Sequence, residues 1–119
     1  MKKSLVLPAM MMVFAGAAFA DAPQVVDVKA TQSGGTWRFD VSILHPDTGW
    51  DHYADGWEVI DAEGNRLGVR PLAHPHENEQ PFTRSQSGIV IPEGTTEVYI
   101  RTRDNVDGWF EERTPVTLP

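Results

Sequence analysis

The chain has 119 residues, no cysteine and a formal net charge of −7 at pH 7. The absence of cysteine excludes disulfide bonds, thiol catalysis and thiolate ligands for a metal. An acidic surface repels nucleic-acid backbones and anionic lipid, so nucleic acid is not an expected partner.

The N-terminal segment has the pattern of a secretory signal peptide. Lys2 and Lys3 precede an apolar run that ends in Ala-Phe-Ala at positions 18–20, so we expect cleavage of residues 1–20 and a single domain over 21–119. Loss of the two lysines changes the net charge from −7 to −9, and all four methionines leave with the leader. The mature protein is therefore expected to be periplasmic or secreted, and not membrane-bound.

The remaining sequence predicts strands separated by turn residues. In the second strand, apolar residues from Trp37 to Ile43 alternate with polar ones, which is typical of a strand with one buried face. Pro71 marks the fourth strand as an edge. The predicted strands are Gln24–Ala30, Thr36–Leu44, Asp55–Asp61, Arg66–Ala73, Thr83–Ile91, Glu97–Arg103 and a last strand that ends at Leu118. Seven short strands at this spacing predict an all-β fold, a seven-stranded antiparallel β-sandwich.

Over the mature length the chain resembles fibronectin type III and immunoglobulin-like domains. The resemblance rests on Trp37 in the second strand, the Ile-Pro-Glu-Gly-Thr turn at 91–95 and the closing Pro-Val-Thr-Leu at 115–118. The tyrosine corner of those domains has no match, because Val98 lies at the inward position near the expected tyrosine and Tyr99 at the outward one. The segments HPDTGWDHYADGW and HPHENEQPFTRS look like those of small exported bacterial proteins without an established function.

The predicted topology brings three loops to one end of the sandwich. Successive connections of an antiparallel meander alternate between the two ends, so the loops His45–Ala54, His74–Pro81 and Asp104–Gly108 share one end. The other end has only compact turns. Elaborated loops on a rigid sandwich are a usual place for binding groups, so we expect the functional site at the three-loop end.

All four histidines of the chain lie in these loops and suggest a metal site. His74 and His76 are two residues apart in an extended HPH segment, so their imidazoles leave the backbone on the same side. His52, with His45 as a candidate fourth ligand, would complete the site. Nitrogen and oxygen ligands without sulfur suit Cu(II), with Zn(II) as an alternative. The competing interpretation is that the histidines are ordinary polar loop residues.

Aromatic residues at the same end favour a second hypothesis, recognition of a protein or a glycan. Trp50, Tyr53 and Trp109 combine large rigid surfaces with a polar group, as interface residues commonly do. Trp37 and Trp57, in contrast, occupy inward strand positions and are expected in the core.

Catalysis has no recognisable motif in the sequence. There is no nucleophile elbow and no glycine-rich phosphate loop, and nothing selects two carboxylates for glycoside chemistry. An N-terminal Asp21 provides no histidine for a copper site that uses the terminal amine. We therefore expect a binding module and not an enzyme.

Overall fold

A computed structural model describes residues 22–119. The predicted signal peptide and its cleavage site lie outside the described residues. Across residues 22–119 no helix is long and apolar enough to cross a membrane.

The described chain folds into two antiparallel sheets without helices. The first sheet has the order β1-β2-β5, and the second has the order β4-β3-β6-β7, with β8 also paired to β6. Their strands are β1 (Gln24–Ser33), β2 (Thr36–Leu44), β3 (Ala54–Ile60), β4 (Arg66–Pro71), β5 (Phe82–Ile89), β6 (Glu97–Asp104), β7 (Gly108–Trp109) and β8 (Thr114–Thr117).

One hydrophobic core fills the space between the sheets. The alternation predicted for β2 is confirmed, since Trp37, Phe39, Val41 and Ile43 are all buried. Trp57 of β3 is fully buried opposite them, as predicted for a core tryptophan. Burying an aromatic side chain removes about 150–250 Å² from water, worth roughly 4–6 kcal/mol at about 25 cal/mol per Å². These side chains therefore hold the two sheets together.

The prediction of seven strands is wrong by one, because the predicted last strand is divided. β7 pairs with Arg103 and Asp104 at one end of β6, whereas β8 pairs with the part of β6 from Glu97 to Ile100. Between them, residues 110–113 lie outside the strands, although the amide of Phe110 still donates to the carbonyl of Thr102 in β6 (3.0 Å). β4 ends at Pro71 and is an edge strand, as its proline predicted.

The two sheets approach closely where β4 faces β5. A Cβ at Gly68 would lie 2.7 Å from Cγ1 and 2.8 Å from Cδ1 of Ile89, whose side chain is buried in the core. Contacts this short require the isoleucine or the strand to move. Gly68 therefore permits the close approach of these two strands.

We expect Gly68→Ala to lower the free energy of unfolding by about 1–3 kcal/mol, the usual cost of overpacking a core. The matched control is Gly35→Ala, because a Cβ there would have no heavy atom within 4 Å. Urea unfolding of both variants measures the difference. Equal stabilities for the two variants would contradict the close approach.

Candidate functional site

The loop between β2 and β3 folds back on itself. The amide of Thr48 donates to the carbonyl of His52 (3.0 Å), and the amide of His52 donates to the carbonyl of Gly49 (3.2 Å). Gly49 has a backbone φ of +128°, a conformation that residues other than glycine rarely adopt. This tight turn returns His52 to the neighbourhood of His45, and the two imidazole rings meet edge to face with centroids 4.9 Å apart.

A carboxylate from the end of β6 joins these two histidines. Oδ2 of Asp104 lies 3.1 Å from Nε2 of His52 and 3.5 Å from Nε2 of His45. His45 and Asp104 are fully buried, whereas the His52 side chain is 28% exposed. One potential ligand atom from each of the three residues lies within 4.8 Å of the others. The arrangement could hold a metal ion.

Hydrogen bonds within the chain orient the ligand atoms. An ionised carboxylate only accepts, so Nδ1–H of His45 donates to Oδ1 of Asp47 (2.6 Å) and Nε2 carries the lone pair when the ring is neutral. This nitrogen is buried and makes no hydrogen bond within residues 22–119. Oδ1 of Asp104 accepts the amides of Val106 and Asp107, which leaves Oδ2 for the imidazoles.

Asp47 also ties the neighbouring loop to the site. Its Oδ1 accepts the amide of Ala54 (3.0 Å), and its Oδ2 accepts the amide of His76 (2.8 Å). Gln80 adds a second connection, because its Oε1 accepts the amide of His45 and its Nε2 donates to the carbonyl of His76. The loop after β4 is thereby fixed against the loop after β2.

His74 and His76 form a separate pair beside this cluster. Their ring centroids are 4.7 Å apart, and the ring of His76 stacks on Phe82 at 3.9 Å. Arg84 donates to Nε2 of His76 (2.8 Å), so a cation would have to displace the guanidinium to reach that nitrogen. His74 is exposed. Ligation of a metal by these two histidines stays a prediction.

The aromatic residues predicted to bind a partner lie in different surroundings. Trp50 is 66% exposed at the tip of the loop, and its ring meets Tyr53 edge to face at 5.5 Å. Trp109 lies in β7 next to Arg103, and it also contacts Arg66 of β4. Trp109 therefore packs with arginines of the second sheet and not with Trp50 or Tyr53.

Sequence reasoning missed Asp104 as a potential ligand and did not single out Asp47. Asp104 was the first residue of the third loop at the predicted end of the fold, so the topology contained a usable signal. Asp47 is one of five acids in or beside the two histidine loops that could supply an oxygen or orient an imidazole, together with Asp51, Asp55, Glu77 and Glu79. Nothing in the spacing distinguishes it from Asp51, which is exposed.

We expect Asp47→Ala to lower the free energy of unfolding by about 3–5 kcal/mol, because each buried donor left without its acceptor costs about 1–3 kcal/mol. The substitution leaves the imidazole of His45 and two buried amides without their acceptor. Asp51→Ala is the matched control and should change stability by less than about 0.5 kcal/mol. Chemical denaturation measures both, and similar losses would contradict the role of Asp47.

The pKa of His76 gives a pH-dependent prediction. Burial, followed by the positive charge of Arg84 and the proximity of His74, lowers this pKa below its usual value of about 6.5, while Glu79 and Asp47 raise it less. The unfolded chain thus binds a proton more readily, so the histidine's contribution to stability is full above about pH 6.5 and decreases as the pH falls below it.

Relative to His76→Phe, which keeps a flat ring over Phe82 but cannot be protonated, the wild type should lose stability between pH 8 and pH 5. Unfolding free energies of both proteins at several pH values measure the effect. The other titrating groups are shared, so their contributions cancel in the comparison. Parallel pH profiles would show that His76 does not titrate differently in the folded state.

Comparison with known proteins identifies one curated relative. No protein family matches the chain. A candidate lipoprotein of Halomicrobium mukohataei is 46% identical over 86 residues, which cover 71% of this chain and 42% of that protein. The chain thus spans less than half the length of this relative.

Two solved structures share the fold. A hypothetical protein of Pyrococcus horikoshii OT3 has a TM-score of 0.55 at 15% identity, covering 82% of this chain and 90% of the other. Superoxide reductase in the oxidised state has a TM-score of 0.52 at 16% identity, covering 84% and 91%. The specific likeness to immunoglobulin and fibronectin type III domains stays a prediction.

The expectation that the chain is not an enzyme is corrected by this comparison. Superoxide reductase is an enzyme, so the fold is compatible with catalysis as well as with binding. The lack of a hydrolase or phosphate-binding motif in the sequence does not exclude chemistry at a site formed by histidines and a carboxylate.

Proposed function

We propose that the protein is an exported metal-binding protein whose site consists of His45, His52 and Asp104. The supporting observation is the buried Nε2 of His45, which has no hydrogen-bond partner in the described chain and faces the same carboxylate oxygen as His52. Two imidazolium ions with rings 4.9 Å apart would repel each other. One divalent cation satisfies both nitrogens and the carboxylate without that repulsion.

The surroundings of the ligands also favour a metal. Asp47 orients His45 through Nδ1, which is the usual carboxylate–histidine–metal arrangement, and it increases the basicity of the ligand nitrogen. The ligating oxygen of Asp104 is oriented by two amides that bind its other oxygen. Two of the three ligands, His45 in the loop after β2 and Asp104 at the end of β6, are therefore held in place by the protein before a metal binds.

The donor set narrows the choice of metal. Two imidazoles and one carboxylate, without sulfur, suit Zn(II) and Cu(II), the metals predicted from the sequence, and also Fe(II). Three protein ligands leave coordination positions for water or a small ligand. We infer that Cu(II), Zn(II) and Fe(II) are the ions to compare.

The proposed location is the cell envelope. The relative from H. mukohataei is a candidate lipoprotein, which supports export and favours attachment to a membrane over the unanchored form expected from the sequence. The predicted secretory signal at residues 1–20 agrees with export.

Calorimetric titration with each metal tests the site. We expect one ion per chain for the wild type, and at least about tenfold weaker binding for His52→Ala, equivalent to about 1.4 kcal/mol. His74→Ala is the matched control and should keep the wild-type affinity, because His74 is an exposed histidine outside the cluster. Cu(II) electron paramagnetic resonance should show coupling to two imidazole nitrogens.

Two outcomes would contradict the proposal. Absence of stoichiometric binding by the wild type would leave the hydrogen bond between His45 and Asp47 as the structural role of the cluster. Loss of binding in His74→Ala together with retention in His52→Ala would move the site to the loop of His74 and His76.

Recognition of a protein or glycan by the aromatic loop residues is the alternative function. The exposure of Trp50 and its edge-to-face contact with Tyr53 support it, because a large exposed aromatic pair is common at interfaces. Trp50→Ala should abolish partner capture without changing metal affinity if this function is correct.

A further inference from the structure

The outer face of the second sheet has a groove formed by residues that the proposed metal site does not use. Arg66, Arg101 and Arg103 lie on this face and exceed by one the two carboxylates that pair with them, Glu58 and Asp55, although the chain as a whole is acidic. The groove has a volume of about 540 Å³ and is lined by Asp55, Gly56, Arg66, Val69, Pro71, Arg103 and Trp109. This volume is typical of small-molecule sites, which are about 300–1,000 Å³.

The ring of Trp109 positions two guanidinium groups. Cζ of Arg66 lies 5.3 Å and Cζ of Arg103 lies 5.6 Å from the centroid of the ring, which is within the distance for cation–π attraction. Arg103 is the cross-strand neighbour of Trp109, whereas Arg66 comes from the edge strand on the other side of β3. Trp109 therefore contacts guanidinium groups from β4 and β6, two strands that are not neighbours in the sheet.

The guanidinium groups of Arg66 and Arg103 each pair with a carboxylate, but through only one of their three nitrogens. Nε of Arg66 donates to Glu58 (2.8 Å), and Nε of Arg103 donates to Asp55 (2.7 Å). Among residues 22–119, Arg66 and Arg103 donate hydrogen bonds through Nε only, so their terminal nitrogens have no partner there. Four NH₂-type donors on two planar groups are thus available to an anion, and such groups match the geometry of a carboxylate.

The absence of a side chain at Gly56 leaves space in the groove for the side chain of Arg103. Gly56 pairs with Arg103 across the strands, and a Cβ there would lie 3.2 Å from Cγ and 3.4 Å from Cδ of that arginine. The stem of Arg103 can therefore lie across β3. A larger residue would lift the guanidinium away from Trp109 and Asp55.

An acceptor in the same groove restricts the ligand further. Asp55 uses Oδ1 for Arg103, and its Oδ2 makes no hydrogen bond in the described part of the chain. A fully ionised dicarboxylate has no donor for this oxygen, whereas a sugar hydroxyl would donate to it. Val69 and Pro71 provide apolar surface beside it.

We propose that this groove binds an acidic sugar of the uronate type, with its carboxylate on Arg66 or Arg103 and a hydroxyl on Asp55. The ligand combines an anionic group, hydroxyl donors and an apolar ring face, and the groove offers a partner for each. The binding is independent of the metal centre, so either can exist without the other.

Titration of metal-free protein with digalacturonate tests the proposal, with binding followed by calorimetry and by tryptophan fluorescence at moderate salt. Saturable binding is expected for the wild type, and the methyl-esterified disaccharide, which keeps the hydroxyls but lacks the charge, should bind at least about tenfold more weakly. Arg66→Gln should weaken binding by a similar factor. Arg38→Gln removes one exposed arginine from the other sheet and should change affinity by less than about twofold.

Thermal unfolding checks that each variant is folded. If Arg66→Gln does not fold because Glu58 loses its partner, Trp109→Ala replaces it, since loss of the ring releases both guanidinium groups, and it should weaken binding by at least about tenfold. The proposal is overturned if the wild type does not bind at millimolar digalacturonate, or if Arg38→Gln loses as much affinity as Arg66→Gln. Equally tight binding of inorganic phosphate would also overturn it, because the groove would then select charge and not a sugar.

Discussion

The carboxylate of Asp47 is the constraint on which the functional end of this fold depends. It accepts three hydrogen bonds from three different places, namely the ring of His45, the amide at the start of β3 and the amide of His76. A buried carboxylate is stable only when its lone pairs are satisfied, so the three donors and the acid require one another. The loops after β2 and β4 consequently have one arrangement relative to each other, and His45 has one ring orientation.

Charge is divided between two regions of the molecule. The acidic end concentrates Asp47 and Asp104 around imidazoles, which attracts a cation, whereas the outer face of the second sheet holds arginines around Trp109. β6 contributes to both, because Asp104 ends the strand and Arg103 precedes it with its side chain on the outer face. The alternation of a β-strand thus separates two opposite electrostatic environments by one residue.

Periodicity predicted much of the fold, since alternation in β2 and the buried tryptophans follow directly from burial of one sheet face. It could not predict that β6 has two short partners, because the departure of residues 110–113 from the ladder depends on tertiary contacts such as that of Arg101 with the carbonyl of Phe110. Spacing placed all four histidines at one end, but it favoured the HPH pair. The turn at Gly49, which depends on a backbone conformation, groups His45 with His52, and a tertiary contact with the guanidinium of Arg84 engages His76 elsewhere.

Metal binding at this site would be coupled to the order of the loops. Its ligands come from residues 45 and 52 of one loop and from the end of β6, so a bound ion bridges segments separated by about half of the folded chain. An ion that binds the folded state and not the unfolded one stabilises the folded state in proportion to the logarithm of its concentration over its dissociation constant. Because Asp47 already fixes His45 without a metal, folding itself supplies most of the ordering of the ligands, and the ion needs to immobilise mainly His52, whose side chain is partly exposed.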